Sequence, residues 1–112
     1  MSWGSLYREK EPLRTKLAIT GSIAAGNLDL AMMEARRATT TPQERKQAAL
    51  EGVAQLAALK ANDFELIRAA GVAFGLTEAE VKGSVQKGVQ TLRGDGYVTL
   101  PTKLEAEFGL KT

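Results

Sequence analysis

Three short motifs, each a threonine followed three residues later by a glutamate, mark the expected starts of three helices. They are Thr41–Glu44, Thr77–Glu80 and Thr102–Glu105. In such a capping box, the threonine hydroxyl and the glutamate carboxylate bond backbone N–H groups that the first helical turn leaves without partners. A chain of 112 residues with three such starts is predicted to be mainly α-helical.

The spacing of apolar residues gives the extent of the predicted helices. A stripe with alternating steps of three and four residues predicts a helix over 12–38, with Pro12 in its first turn; the stripe comprises Leu13, Leu17, Thr20, Ala24, Leu28, Ala31 and Ala35. A break is possible at Gly26-Asn27, where Asn27 would cap a second piece. The same analysis predicts further helices over 42–60, 63–74, 78–93 and 102–109.

The stretch between the last two predicted helices has a different character. Residues 94–96 (Gly-Asp-Gly) suit a tight turn, and residues 97–100 (Tyr-Val-Thr-Leu) have the β-branched and aromatic composition of a short strand that Pro101 would end. The expected fold is therefore mainly α, with four to five helices and a short β-hairpin or strand near 97–100. We find no convincing internal repeat in the sequence.

The N-terminal part of the chain suggests contacts with other molecules. Residues 1–11 are expected to be an arm, and residues 12–112 a single helical domain. The helix 12–38 is longer and more apolar than a monomer of this size needs, which predicts a homo-oligomer. The expected partner-binding residues are Trp3, Tyr7, Leu13, Leu17, Leu28 and Met32.

Composition excludes several kinds of chemistry. The chain contains no histidine and no cysteine, so disulfides, zinc sites built on these ligands and imidazole catalysis are all excluded. Its N-terminus lacks a signal-peptide pattern, and no window has the length and apolarity of a membrane span. The expectation is a cytoplasmic protein that is not an enzyme, has no catalytic residues and binds no metal, cofactor or membrane.

Three residues mark a candidate helix-turn-helix. Gly71 is a small residue where two helices would cross, Gly75 lies at the turn, and Val81 is an apolar residue that would pack back from the second helix. The order helix, Gly-Leu-Thr, helix, Gly-Tyr-Val, strand over residues 63–100 resembles winged helix-turn-helix DNA-binding domains. The resemblance implies a winged-helix-like C-terminal half and a helix 78–93 that reads double-stranded DNA.

The same resemblance implies a set of DNA-binding residues. Side chains on the outward face of helix 78–93 would bind phosphates and base edges: Lys82, Gln86, Lys87, Gln90 and Arg93. More distant phosphate contacts would come from Arg36, Arg37, Arg45 and Lys46. Reversing the charges of Lys87 and Arg93 is expected to abolish DNA binding without changing the helical content.

Charge leaves two hypotheses open. The net charge is +2, but residues 1–61 carry +3 and residues 62–112 carry −1, so the half that resembles a reading head is slightly acidic. The first hypothesis, which the glycine-marked turn favours, is a small DNA-binding regulator or accessory factor that self-associates through its N-terminal helix. The near-neutral charge favours the alternative, a helical assembly subunit or adaptor of a virion or other multiprotein complex, with no nucleic-acid reading.

Overall fold

A computed structural model describes residues 15–36 and 40–110. Residues 15–24 are helical (α1), and five further helices follow: α2 (Leu28–Arg36), α3 (Pro42–Leu59), α4 (Phe64–Ala73), α5 (Glu78–Gly94) and α6 (Thr99–Phe108). The mainly α class is confirmed. The described ranges contain six helices rather than four to five, and they contain no strand.

Polar side chains fix the starts of four of these helices. Thr41 and Thr77 form the predicted capping boxes of α3 and α5, and in both the glutamate N–H donates to the threonine hydroxyl at 3.1 Å. Asp63 accepts from the Leu66 N–H at the start of α4, and Asn27 accepts from the Leu30 N–H at the start of α2. The first two boxes are therefore confirmed.

The prediction for residues 97–100 was wrong, although the helix expected over 102–109 is present as part of α6. The expected strand or hairpin near 97–100 is absent from the described structure, because α6 already begins at Thr99. Pro101 lies in the first turn of α6, where its missing N–H costs no helical hydrogen bond, so it does not end an element. The expected capping box at Thr102 is also wrong: this hydroxyl lies inside α6 and donates to the Val98 carbonyl at 2.8 Å.

The predicted helix 12–38 is divided at Gly26-Asn27, where the sequence indicated a break. Residues 25–27 are not helical, and α1 and α2 lie on either side of them. The buried large side chains of α1 are Ile19 and Ile23, whereas Leu17 of the predicted stripe is 63% exposed. Residues 1–14, with Trp3, Tyr7 and Leu13, lie outside the described residues, as does Arg37.

Helices α1, α3 and α5 lie side by side and run in the same direction. The Thr20 hydroxyl donates to the Ala48 carbonyl at 2.9 Å, which joins α1 to α3. The Ser84 hydroxyl donates to the Leu50 carbonyl at 2.9 Å, and Lys46 forms an ion pair with Glu80, which joins α3 to α5. Because the residue numbers of the partners rise together from Lys46–Glu80 to Leu50–Ser84, α3 and α5 are parallel.

The chain folds as two successive helical hairpins, α3–α4 and α5–α6, that resemble each other. Helices α3 and α5 begin 36 residues apart, each after a capping box. Their buried faces have the same spacing, with Ala48, Ala49, Gly52, Val53 and Leu56 in α3 and Ser84, Val85, Gly88, Val89 and Leu92 in α5. The structure thus contains a repeated hairpin that the sequence analysis did not find.

The two hairpins also end alike. Gly75 follows α4 with φ of 66°, and Gly109 follows α6 with φ of 64°, a left-handed conformation that glycine adopts without a steric penalty. The next residue, Leu76 or Leu110, donates its N–H back to the carbonyl five residues earlier, at 2.9 Å in both cases. Each hairpin therefore closes with the same Phe-Gly-Leu turn, at residues 74–76 and 108–110.

Candidate functional site: an apolar groove and a basic depression

The crossing of α4 and α5 has the close contact that the sequence indicated. A Cβ added to Gly71 would lie 2.6 Å from Val81 Cγ2, so only glycine lets the two helices approach this closely. Gly75 then supplies the left-handed turn residue, and Thr77 caps α5. The Gly71–Val81 contact, the Gly75 turn and the Thr77 cap therefore lie where the sequence predicted them, although α5 packs mainly against α3 and α6.

The surroundings of α5 differ from those of a winged reading head. Within the described residues no strand follows α5, and Asp95–Val98 lead directly into α6. Helix α5 packs along α3 on one side, where a Cβ on Gly88 would lie 2.8 Å from the Ala57 Cβ. Helix α6 packs against α5 as well, and Arg93 of α5 pairs with Glu105 of α6. Much of the α5 surface is therefore covered by the chain itself.

The predicted DNA-binding residues of α5 are in different environments. Lys82 Nζ lies 3.5 Å from Glu78 Oε1 within the helix. Gln86 is half-buried. Lys87 and Gln90 are exposed and line a shallow depression that also includes Glu51. The structure therefore does not gather these side chains into one basic surface.

Arg93 holds α5 and α6 together. Its guanidinium donates to both carboxylate oxygens of Glu105, whose side chain is only 5% exposed. These bonds raise the pKa of Arg93 above its usual value. Reversing the charge of Arg93 would place two carboxylates together at a partly buried position, so we expect Arg93→Glu to weaken the α5–α6 hairpin. Unchanged helical content is therefore expected for Lys87→Glu but not for Arg93→Glu.

The polar outer face of α5 also has a structural explanation. Gln86, Gln90 and Arg93 of α5 occupy the positions that Leu50, Ala54 and Ala57 occupy in α3, 36 residues earlier. On α3 this face is covered by α5. In stacked helical hairpins the outer face of a terminal unit is polar because no further unit covers it. These α5 residues therefore suit the end of a stack.

Three of the predicted phosphate contacts lie together beside the α4–α5 turn. Arg36, Arg45 and Lys46 line a depression of about 660 Å³, the basic depression, whose wall includes Phe74 and Gly75. Arg45 donates to the Thr40 carbonyl at 2.6 Å. Lys46 Nζ lies 2.6 Å from Glu80 Oε2. Bonds to Lys46 and then to the Thr77 N–H lower the pKa of Glu80, so this carboxylate partly neutralises the depression.

A second concave surface lies between α4, the start of α5 and the end of α6, and is named here the α4–α6 groove. Its volume is about 590 Å³, and its apolar lining comes from Gly71, Val72, Leu76, Val81 and Phe108. Val72 is 81% exposed, one of the most exposed large apolar side chains in the described structure. The site has no distinct signal in the sequence, where Val72 and Leu76 are simply parts of a predicted helix and turn.

Two ion pairs flank the groove. Arg68 Nη1 lies 2.7 Å from Glu107 Oε1, and its guanidinium carbon lies 4.7 Å from the centre of the Phe108 ring. Phe108 in turn packs edge-to-face against Phe64, with ring centres 6.2 Å apart. On the other side Lys82 pairs with Glu78, whose side chain is 86% exposed. The groove thus combines an apolar floor with charged, partly exposed edges.

Three of the six predicted partner-binding residues lie within the described ranges. Leu17 is exposed, whereas Leu28 and Met32 are half-buried, and Leu28 packs against the core.

No family model matches this sequence, and comparisons with curated proteins and with solved structures find no match. None of the described helices has both the length and the apolar character needed to cross a membrane. Within the described residues, the α4–α6 groove and the basic depression are the two surfaces that most clearly suggest a binding function.

Proposed function

We propose that this chain is a helical assembly subunit or adaptor that binds an apolar segment of a partner protein in the α4–α6 groove. The observation that carries the proposal is the groove itself, a concave apolar surface with Val72 81% exposed at its edge. Binding sites in proteins are typically concave, lined by apolar side chains and edged by a few polar groups that orient the ligand.

The groove suits a segment with one or two large apolar side chains. Burying one such side chain against Val72 and Leu76 contributes about 1.5–3 kcal/mol. The exposed carboxylate of Glu78 would then bind a basic residue of the same segment, which sets its direction. Contacts of this size, less the cost of ordering the segment, correspond to dissociation constants on the order of millimolar.

Selection of peptides on the folded chain tests the proposal. A displayed library of random peptides is selected on the wild-type protein and counter-selected on Val72→Asp. We expect enrichment of peptides with an aromatic or large aliphatic residue, and at least about tenfold weaker binding to Val72→Asp, because a charge at the edge of the groove opposes apolar burial. Binding is measured by fluorescence anisotropy of the labelled peptides.

Val98→Asp is the matched control. Val98 is 76% exposed and precedes α6, at the opposite end of that helix from Phe108. It should leave peptide binding unchanged. The proposal fails if no sequences are enriched, or if the enriched peptides bind Val72→Asp as well as they bind the wild type.

DNA binding remains a second candidate, favoured by a specific arrangement. Gly71 of α4 contacts Val81 of α5, as a helix-turn-helix pair would require, and Arg36, Arg45 and Lys46 lie beside the turn. In this case the basic depression would bind phosphates. The exposed Lys87 and Gln90 would contribute from α5, and Glu78 and Glu80 at its start would oppose the DNA.

Titration of a labelled random duplex at low and at physiological salt tests this second candidate. DNA binding through phosphates weakens steeply with salt, and each contact contributes about 0.9 to the slope of log K against log salt. Under this hypothesis Arg36→Glu and Lys87→Glu each weaken binding and reduce that slope. Absence of binding at low salt would eliminate the DNA hypothesis and leave the adaptor proposal.

A further inference from the structure

We infer that a depression between α3 and α5, named here the α3–α5 depression, is a second binding surface, for an extended peptide segment that carries an acidic side chain. Its volume is about 620 Å³, and every residue that lines it belongs to one of these two helices. It shares no residue with the α4–α6 groove or with the basic depression. The inference therefore goes beyond the proposed function and does not depend on it.

The α3–α5 depression is built from corresponding positions of the two repeated hairpins. Glu51 of α3 and Lys87 of α5 are 36 residues apart, and so are Gln55 and Thr91, one helical turn further along. All four residues are exposed, and no residue of α4 or α6 lines this part of the parallel α3–α5 pair. Stacked helical hairpins use such continuous surfaces for binding, and a continuous open surface accepts an extended chain more readily than a compact ligand.

Two carboxamides in the depression match the backbone of an extended segment. A glutamine side chain carries both a donor and an acceptor, and an extended backbone presents free N–H and C=O groups. Gln90 is exposed and forms no side-chain hydrogen bond within the described residues. Gln55 donates to Glu51 Oε1 at 3.4 Å, which leaves its carbonyl oxygen free. The two amides therefore supply donors and acceptors to the backbone of the segment.

Charge complementarity selects the acidic side chain. Lys87 is exposed, and in the described ranges it forms no ion pair. Glu51, its counterpart on α3, bonds Gln55 instead. An acidic side chain of the segment gives Lys87 a partner, whereas Glu51 repels the phosphates of a nucleic acid at the same site. Leu59, which is 71% exposed and lines the depression, accepts an apolar side chain of the same segment.

Peptide selection with the α4–α6 groove blocked tests the inference. A displayed random library is selected on Val72→Asp and counter-selected on the same chain with Lys87→Glu added. We expect enrichment of peptides that contain aspartate or glutamate. The enriched peptides are then synthesised with amidated C-termini, so that only acidic side chains carry a carboxylate. Fluorescence anisotropy of the labelled peptides measures their binding to the wild-type chain and to single variants.

Lys87→Glu should weaken this binding at least about tenfold, because it sets two like charges against each other. Added salt should also weaken binding to the wild type, because the ion pair is exposed to solvent. Lys103→Glu is the matched control. Lys103 is an exposed lysine of α6 outside the depression, so the same charge change there should leave binding unchanged. Circular dichroism checks that both variants are folded.

Two results would overturn the inference: the absence of any enriched peptide, or enriched peptides that bind Lys87→Glu as tightly as the wild type. In the first case, binding of a labelled random duplex that depends on Lys87 would assign the depression to nucleic acid. The inference and the proposed function also fail separately. Peptides that require Val72 but tolerate Lys87→Glu refute the inference alone, whereas acidic peptides that bind Val72→Asp, with no peptide dependent on Val72, refute the groove proposal alone.

Discussion

Replacing Gly88 with alanine is expected to lower the free energy of unfolding by about 1–3 kcal/mol, although alanine is the better helix former. An added Cβ would lie 2.8 Å from the Ala57 Cβ and 2.9 Å from the Ala54 carbonyl oxygen. The first of these atoms is a Cβ and the second is a backbone oxygen, so neither can rotate away from the added group. The change would force α3 and α5 apart, and urea denaturation followed by circular dichroism measures the loss.

Gly83→Ala is the matched control in the same helix. At Gly83 an added Cβ meets no described atom within 4 Å. We therefore expect this variant to gain about 0.5–1 kcal/mol from helix propensity alone. If the two variants responded alike, the close parallel contact between α3 and α5 would be wrong.

Leu56→Ala is expected to have the largest effect, a loss of about 2–5 kcal/mol. Leu56 is fully buried in the hydrophobic core. Its truncation removes apolar contacts and leaves a cavity. Small domains are stable by only about 5–15 kcal/mol, so this one change consumes a large part of the total. Thermal and urea denaturation measure it.

Leu59→Ala, three residues further along α3, supplies the comparison. Leu59 is 71% exposed, and its replacement should change stability by no more than about 0.5 kcal/mol. A loss at Leu59 comparable to that at Leu56 would contradict the exposed position of this side chain. It would also show that this face of α3 is covered in solution.

The helix starts were the most predictable part of the fold. Capping depends on residues three positions apart, so Thr41, Thr77 and Asn27 could be assigned from the sequence, although the same rule failed at Thr102. The glycine contact between α4 and α5 was also predictable, because a small residue at 71 and an apolar one at 81 suit a close crossing. These features are local, and tertiary packing did not override them.

The errors arose where packing decides the outcome. Residues 97–100 have strand propensity, but burial of Leu104 and Phe108 along α6 outweighs it, and Pro101 suits a first helical turn as well as a strand end. In α1 the largest buried side chains are Ile19 and Ile23, which the predicted stripe did not include, although its Thr20 and Ala24 are buried as well. The pair Arg93–Glu105 joins two helices, so spacing within one helix could not indicate it.

The repeat was detectable in the sequence, because Gly52, Val53 and Leu56 of α3 recur 36 residues later as Gly88, Val89 and Leu92 of α5. The groove, in contrast, could not be predicted from local patterns. The groove is assembled from α4, α5 and α6. Its most exposed apolar side chain, Val72, is one more apolar residue in the sequence of α4 and becomes distinctive only through its exposure.

The most direct test of groove binding is to map the bound peptide on the isotopically labelled full chain by amide chemical-shift perturbation. Addition of a selected peptide should shift the amides of Val72, Leu76, Val81 and Gly109, and leave that of Val98 unchanged. Perturbations confined to α1 and α2, or to Arg36, Arg45 and Lys46 around the basic depression, would contradict the assignment of the α4–α6 groove as the binding site.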